Sequence, residues 1–235
     1  FFNLFRYITF RAGGAFFTAL IFGFVFGRPL INVLRRRQGK GQPIRDDGPE
    51  AHAAKSGTPT MGGLLVLSAL VFSTVMWARL DNNYVIIVLF VTICFGGIGF
   101  IDDYLKVSRQ NPKGVSSKIR LLSGFLVAAA AAYFIATNHP DALQNRLALP
   151  IFKNLLVDLG FLFVPFAMIV IVGSANAVNL TDGLDGLAIM PVMIAAGALG
   201  VIAYAVGRVD FTEYLDVHSV NGTGEILILC SGIFG

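Results

Sequence analysis

Four carboxylates and two amides fall in two short polar stretches of an otherwise apolar chain. "FIDDYLK" sets Asp102 beside Asp103, with Lys106 one helical turn on. "NAVNLTDGLDGLA" carries Asn176, Asn179, Asp182 and Asp185. Within each pair of that stretch the spacing is three residues, so on a helical segment the pair shares a face. Gly183 and Gly186 remove side chains and let backbone N–H groups approach a ligand. Two close carboxylates suit a hard cation such as Mg²⁺, commonly held together with substrate phosphates. Lys106, Lys113 and Lys118 follow Asp102 and Asp103 closely enough to compensate them. Such compensation is needed, because carboxylates at a helix C-terminus oppose the macrodipole. A charged boundary that only sets topology accounts for the Asp102–Asp103 pair equally well.

A third stretch, "GTPTMGG" at 57–63, places Thr58, Thr60, Gly62 and Gly63 where an apolar run begins. Hydroxyls and free N–H groups at a helix start can hold phosphate oxygens. For this stretch alone, a capped helix start with small packing residues is the simpler account. Upstream, His52 reads as a loop hydrogen-bonder, and Arg45, Asp46 and Asp47 as a solvated charge cluster. Taken together, the acids, amides, lysines and threonines suit a Mg²⁺-assisted reaction on a phosphorylated compound. Cations would neutralise phosphate while a carboxylate handles a proton or attacks. The sequence has no Walker loop, no GxGxxG and no catalytic serine, cysteine or metal-binding histidine arrangement.

What positions these residues follows from composition. Of 235 residues 55% are hydrophobic and 14% charged, against about a quarter charged in a soluble domain. Charge-free gaps of 16 to 23 residues recur along the chain. A bilayer core needs about 20 helical residues, and backbone polar groups in lipid must pair within the segment. The fold class is therefore an all-α polytopic membrane protein, a single integral membrane domain over 1–235. Six spans are expected at about 12–34, 61–79, 83–101, 121–138, 155–174 and 187–206. The start of a seventh, from Ile226, reaches only ten residues by Gly235, so the sequence is expected to be part of a longer chain. The N-terminal stretch shows no small-residue cleavage site and does not read as a removable signal peptide.

Lysine and arginine orient the bundle. The loops after spans one, three and five carry 12 of them, and the opposite side carries 6. The bias places the odd loops in the cytoplasm, and with them all three polar stretches. The net charge of +4 needs no nucleic-acid partner, since topology and anionic lipid headgroups account for it. Cys94 and Cys230 lie in apolar runs and read as small buried hydrophobes. The alanine run at 128–132 is a small-residue face suited to close helix packing.

"GTPTMGG", "FIDDYLK" and "NAVNLTDGLDGLAIMP", in this order and with these membrane spacings, closely resemble the bacterial phospho-N-acetylmuramoyl-pentapeptide transferase (MraY) family. That family lies within the polyprenyl-phosphate N-acetylhexosamine-1-phosphate transferase superfamily. The loop "IRDDGPEAHAAKSGTPTMGG" favours the muramoyl-pentapeptide branch over relatives that use UDP-N-acetylglucosamine. The resemblance implies Mg²⁺-dependent transfer from UDP-N-acetylmuramoyl-pentapeptide to undecaprenyl phosphate, giving lipid I and UMP. It implies a homodimer in the bacterial inner membrane, with the active site facing the cytoplasm.

By matching motif positions, Asp102 would be the base, Asp103 would support it or help hold the metal, and Lys106 and Lys118 would bind phosphate. Lys55, Thr60, Asn176, Asn179, Asp182, Gly183, Leu184 and Asp185 would line the nucleoside and diphosphate pocket. The family has about ten spans and a further metal-binding aspartate in a later loop. Residues 1–235 alone are therefore expected to be inactive. Two other classes compete: an ion-coupled transporter, which would place acids near mid-span, and a non-catalytic lipid-binding scaffold.

Overall fold

The computed structural model describes residues 2–38, 60–110, 114–138, 142–149, 152–181 and 186–235. A short 3-10 turn leads into α1 (Ile8–Gln38), which runs unbroken through Arg28 and Pro29. There follow α2 (Gly63–Trp77), α3 (Asn83–Arg109) and α4 (Ser117–Asn138). A hairpin of β1 (Arg146–Leu149) and β2 (Phe152–Asp158) precedes α5 (Phe163–Thr181). The described chain closes with α6 (Ile189–Val206), α7 (Val209–Leu215) and α8 (Ile226–Phe234). Five helical segments are long and apolar enough to cross a membrane, while α2, at 15 residues, is a shorter apolar helix. The molecule is thus a helical, multi-pass membrane protein.

The first and third spans run longer than expected, as Ile8–Gln38 and Asn83–Arg109, and the fifth starts differently. The fifth span was expected from 155, but Phe152–Asp158 pairs antiparallel with Arg146–Leu149, Leu147 opposite Val157 and Ala148 opposite Leu156. The helical segment begins at Gly160. Leu155, Leu156 and Val157 raise hydropathy equally in a strand or a helix, so an apolar run cannot tell the two apart. Gly160 at φ +48 then turns the chain into the helix.

Packing is uneven, as lipid as a solvent would lead one to expect. Only 6% of the window in Gly160–Thr181 is buried inside the protein, so most of its apolar surface faces outward. α1 packs against α2 and α8, α6 against α8, and α4 against both α3 and α5. The alanine face of α4 does what its residue sizes suggest: Ala128, Ala131 and Ala132 are buried, allowing close approach. A small core of Ala12, Ala15 and Ile228 sits near a second one of Leu70, Val85, Leu89 and Leu229. Both cysteines are free thiols, Cys230 buried.

One end of the bundle is held by a polar clamp. Arg11 of α1 forms a two-pronged, buried pair with Glu225, just before α8. The same guanidinium donates to the Trp77 carbonyl at 3.2 Å, and the Arg79 N–H donates to Glu225 at 3.1 Å. Three chain segments distant in sequence thus share one ion pair. The Trp77 indole donates to the Thr18 hydroxyl at 2.8 Å, and its ring covers Gly14, where any Cβ would stand 2.6 Å from ring carbons. Asn82 caps α3 through the Tyr84 and Val85 N–H groups and donates to the Gly222 carbonyl at 2.9 Å. Here a side chain satisfies orphan helix donors and ties down a distant loop at once.

Removing one member of a buried ion pair leaves the other uncompensated, at about 3–5 kcal/mol. Arg11→Met is therefore expected to lower the thermal unfolding midpoint of the detergent-solubilised protein sharply. Adding Glu225→Leu to it should recover most of that loss.

Candidate functional site

At the opposite end of the bundle the start of α2, the C-terminal half of α3, the start of α4 and the C-terminal half of α5 meet. Between them lies a cavity of about 490 Å³. Its polar wall is Asp102, Asp103, Lys106, Arg120, Asn176 and Asn179, and its apolar wall includes Leu64, Leu67, Phe95 and Val172.

Helical spacing builds the charged cluster. From Lys106, Asp102 is one turn back at four residues and Asp103 at three, so a single ammonium reaches both. The distances are 2.6 Å to Asp102 and 3.2 Å to Asp103. Asp102 is buried, 6% exposed, and its other oxygen accepts the Val115 N–H at 2.7 Å. That bond requires the chain to double back after α3. Gln110 ends the helix in the left-handed region, and Gly114 adopts φ +55. A Cβ at Gly114 would stand 2.5 Å from an Asp102 oxygen, so glycine is needed there for conformation and for room.

Asp103 is more open, its side chain 33% exposed. It accepts a long hydrogen bond, 3.3 Å, from the Thr60 hydroxyl. Thr60 itself is held by Gln38: the Gln38 amide donates to the Thr60 carbonyl at 3.0 Å and accepts the Thr60 N–H at 2.9 Å. Met61, next in the chain and part of the cavity wall, has φ +73. On α5, the Asn176 amide donates to the Val172 carbonyl at 2.8 Å.

Of the residues singled out from sequence, Asp102, Asp103, Lys106, Asn176 and Asn179 line this one cavity, and Thr60 is bonded to its rim. Lys118 is exposed near the start of α4 and is not among the lining residues. Lys55, Asp182, Gly183, Leu184 and Asp185 lie outside the described residues, as do His52 and Lys113. Among the described residues no three acidic, histidine or cysteine side chains form a metal-binding group.

Sequence reasoning missed Gln38, Gly114 and Arg120. A signal for Arg120 existed: it continues, at four-residue steps, the buried stripe of Gly124, Ala128 and Ala132 on α4. Gln38, at the end of "RRRQ", carried none.

Fold and site together define a polytopic α-helical membrane protein with a carboxylate- and cation-lined cleft at one end of its bundle. The family model for glycosyl transferase family 4 matches residues 85–224, more than half of the chain, and the chain belongs to that family. A phospho-N-acetylmuramoyl-pentapeptide-transferase signature matches residues 55–67. Proteins named phospho-N-acetylmuramoyl-pentapeptide-transferase are similar along the whole chain. That of Ruegeria sp. (strain TM1040) is 75% identical over 235 residues. That of Ruegeria pomeroyi is 72% identical over 233 residues, 99% of the chain, and that of Maricaulis maris 56% over 240, again 99%. The chain spans 65% of the length of each of these relatives.

The close approach of Gly114 to Asp102 yields a direct test. A non-glycine residue held at positive φ costs on the order of 1–3 kcal/mol. Gly114→Ala is therefore expected to speed hydrogen exchange of the Val115 N–H about fivefold or more, as the bond to Asp102 loosens.

Proposed function

We propose that the full-length protein transfers phospho-N-acetylmuramoyl-pentapeptide from UDP-N-acetylmuramoyl-pentapeptide to undecaprenyl phosphate, giving lipid I and UMP. The observation that carries this reading is the meeting of Asp102, Asp103, Lys106 and Arg120 with Asn176 and Asn179 around one cavity at a helix-end face. A lipid nucleophile confined to the bilayer and a nucleotide sugar confined to water can meet only at such a boundary. The positive-charge bias supports a cytoplasmic position for that face, at the inner membrane of a bacterium.

The chemistry is a phosphoryl transfer, in which positioning and charge neutralisation dominate. An oxygen of the lipid phosphate forms a bond to the sugar-linked phosphorus. The bond from that phosphorus to the bridging oxygen breaks, and UMP leaves with the electron pair. Lys106 and Arg120 face the phosphates. Asp103, the more open carboxylate, takes a proton from the lipid phosphate or orients it. Asp102 has one oxygen on Lys106 and the other on the Val115 N–H. Its bonds favour a role in fixing Lys106 over that of the base the family resemblance assigns to it.

Among the described residues, the two acids and two cations at the cavity leave no surplus positive charge for a diphosphate. The hard oxygens of Asp102 and Asp103 fit Mg²⁺ in kind. Mg²⁺ held there would neutralise the diphosphate. The signature at 55–67 supports the muramoyl-pentapeptide branch over UDP-N-acetylglucosamine.

The test is UMP release by the full-length protein supplied with both substrates and Mg²⁺. General acid–base groups contribute about 10²–10⁴-fold, so Asp103→Asn should lower kcat by at least about 100-fold. Chelation should abolish release and Mg²⁺ restore it. No UMP from the unaltered protein, or undiminished release from Asp103→Asn, would refute the proposal. Release from UDP-N-acetylglucosamine instead would move the protein to the sister branch.

A further inference from the structure

We infer that Gln38, the last residue of α1, is a positioning residue for this reaction, acting on Asp103 through Thr60. The inference rests on the transferase reading above. Gln38 is buried, 9% exposed, although it follows three arginines at a helix end. Its amide uses both of its hydrogen-bonding sides on one backbone residue, donating to the Thr60 carbonyl and accepting the Thr60 N–H. This is the donor–acceptor pattern of a hydrogen-bonded pair in an antiparallel sheet, supplied here by a side chain. With its backbone so engaged, Thr60 keeps its hydroxyl for Asp103.

The staple has two consequences for the cavity. Residues 39–59 separate Gln38 from Thr60 in the chain, and the paired bonds fix Thr60, where the described chain resumes beside the site. Directly after Thr60, Met61 sits at φ +73, and its carbonyl accepts the Leu64 N–H at 3.1 Å to begin α2. A non-glycine residue stays in that region only where its surroundings hold it. Among the described side chains, Gln38 is bonded to the backbone of the residue before it. Loss of the staple would therefore let Thr60 withdraw its hydroxyl from Asp103, the carboxylate assigned to the lipid phosphate.

The experiment uses the full-length protein and four variants: Gln38→Leu, Thr60→Val, their combination, and Gln38→Glu. Two readouts are taken, hydrogen exchange of the segment 60–65 and the kinetics of UMP release. Gln38→Leu should speed exchange there about tenfold. It should lower kcat about tenfold, with KM for the nucleotide sugar within about twofold, as for a lost interaction that matters only in the transition state. Because the two residues act in series, the double variant should be no slower than the slower single one; independent effects would multiply. Gln38→Glu should regain activity as pH falls, because a protonated carboxyl presents one donor and one acceptor as the amide does.

Unchanged exchange in Gln38→Leu would overturn the inference, whether or not the protein is active. So would faster exchange with unaltered kcat, or losses that multiply in the double variant. Absence of UMP from the unaltered protein would instead count against the transferase reading.

Discussion

A buried carboxylate next to a membrane must be kept charged by something, and here that is Lys106. Asp102 lies near the C-terminal end of α3, where the macrodipole disfavours negative charge, and it is shielded from water. The ammonium at 2.6 Å and the Val115 N–H at 2.7 Å answer both problems. The second bond reaches across the connection to α4, so the same carboxylate that needs compensation also fixes where that helix starts. With the start of α4 fixed, Arg120 faces the cavity and Gly124, Ala128 and Ala132 face the helices beside it. Electrostatic need at one residue therefore propagates into the packing of a whole helix.

The two ends of the bundle use polar contacts differently. At the clamp end, Arg11 and Glu225 form a closed, two-pronged pair, and the Trp77 carbonyl and Arg79 N–H join it, although the Arg11 Nε is buried without a partner among the described residues. At the cleft end, Lys106 is shared between two acids, and among the described residues Asp103 has besides it a long bond from Thr60. A closed pair gives stability, whereas a shared and partly satisfied one leaves hydrogen-bonding capacity for a ligand. The small cores of alanine, leucine, valine and isoleucine lie nearer the closed end, around Ala12, Val85 and Ile228.

Much of this was legible in the chain. Charge-free gaps of spanning length gave the helices, because the requirement for internally paired backbone in lipid admits few other forms. The alternation of loops placed the Asp102 and Asn176 stretches on one side, and they share a cavity. The hairpin at 146–158 was not legible, since three consecutive apolar residues count toward a span whichever conformation they take. Nor was Gln38, whose role depends on a backbone partner 22 residues away and leaves no periodic trace. Lys118 and Arg120 show the same limit on a finer scale: both are cations at a helix start, and only the face each occupies separates them.

The brevity of α2 has a mechanical consequence. At 15 residues its rise is about 22 Å, roughly 8 Å less than a typical hydrocarbon slab. Such mismatch is relieved by local thinning of the bilayer or by polar groups seated beneath the headgroup plane. Either way, the threonine and glycines that open this helix are drawn toward the acyl chains. Under the proposed reaction, a polyisoprenoid bearing a terminal phosphate enters sideways there, its tail immersed throughout.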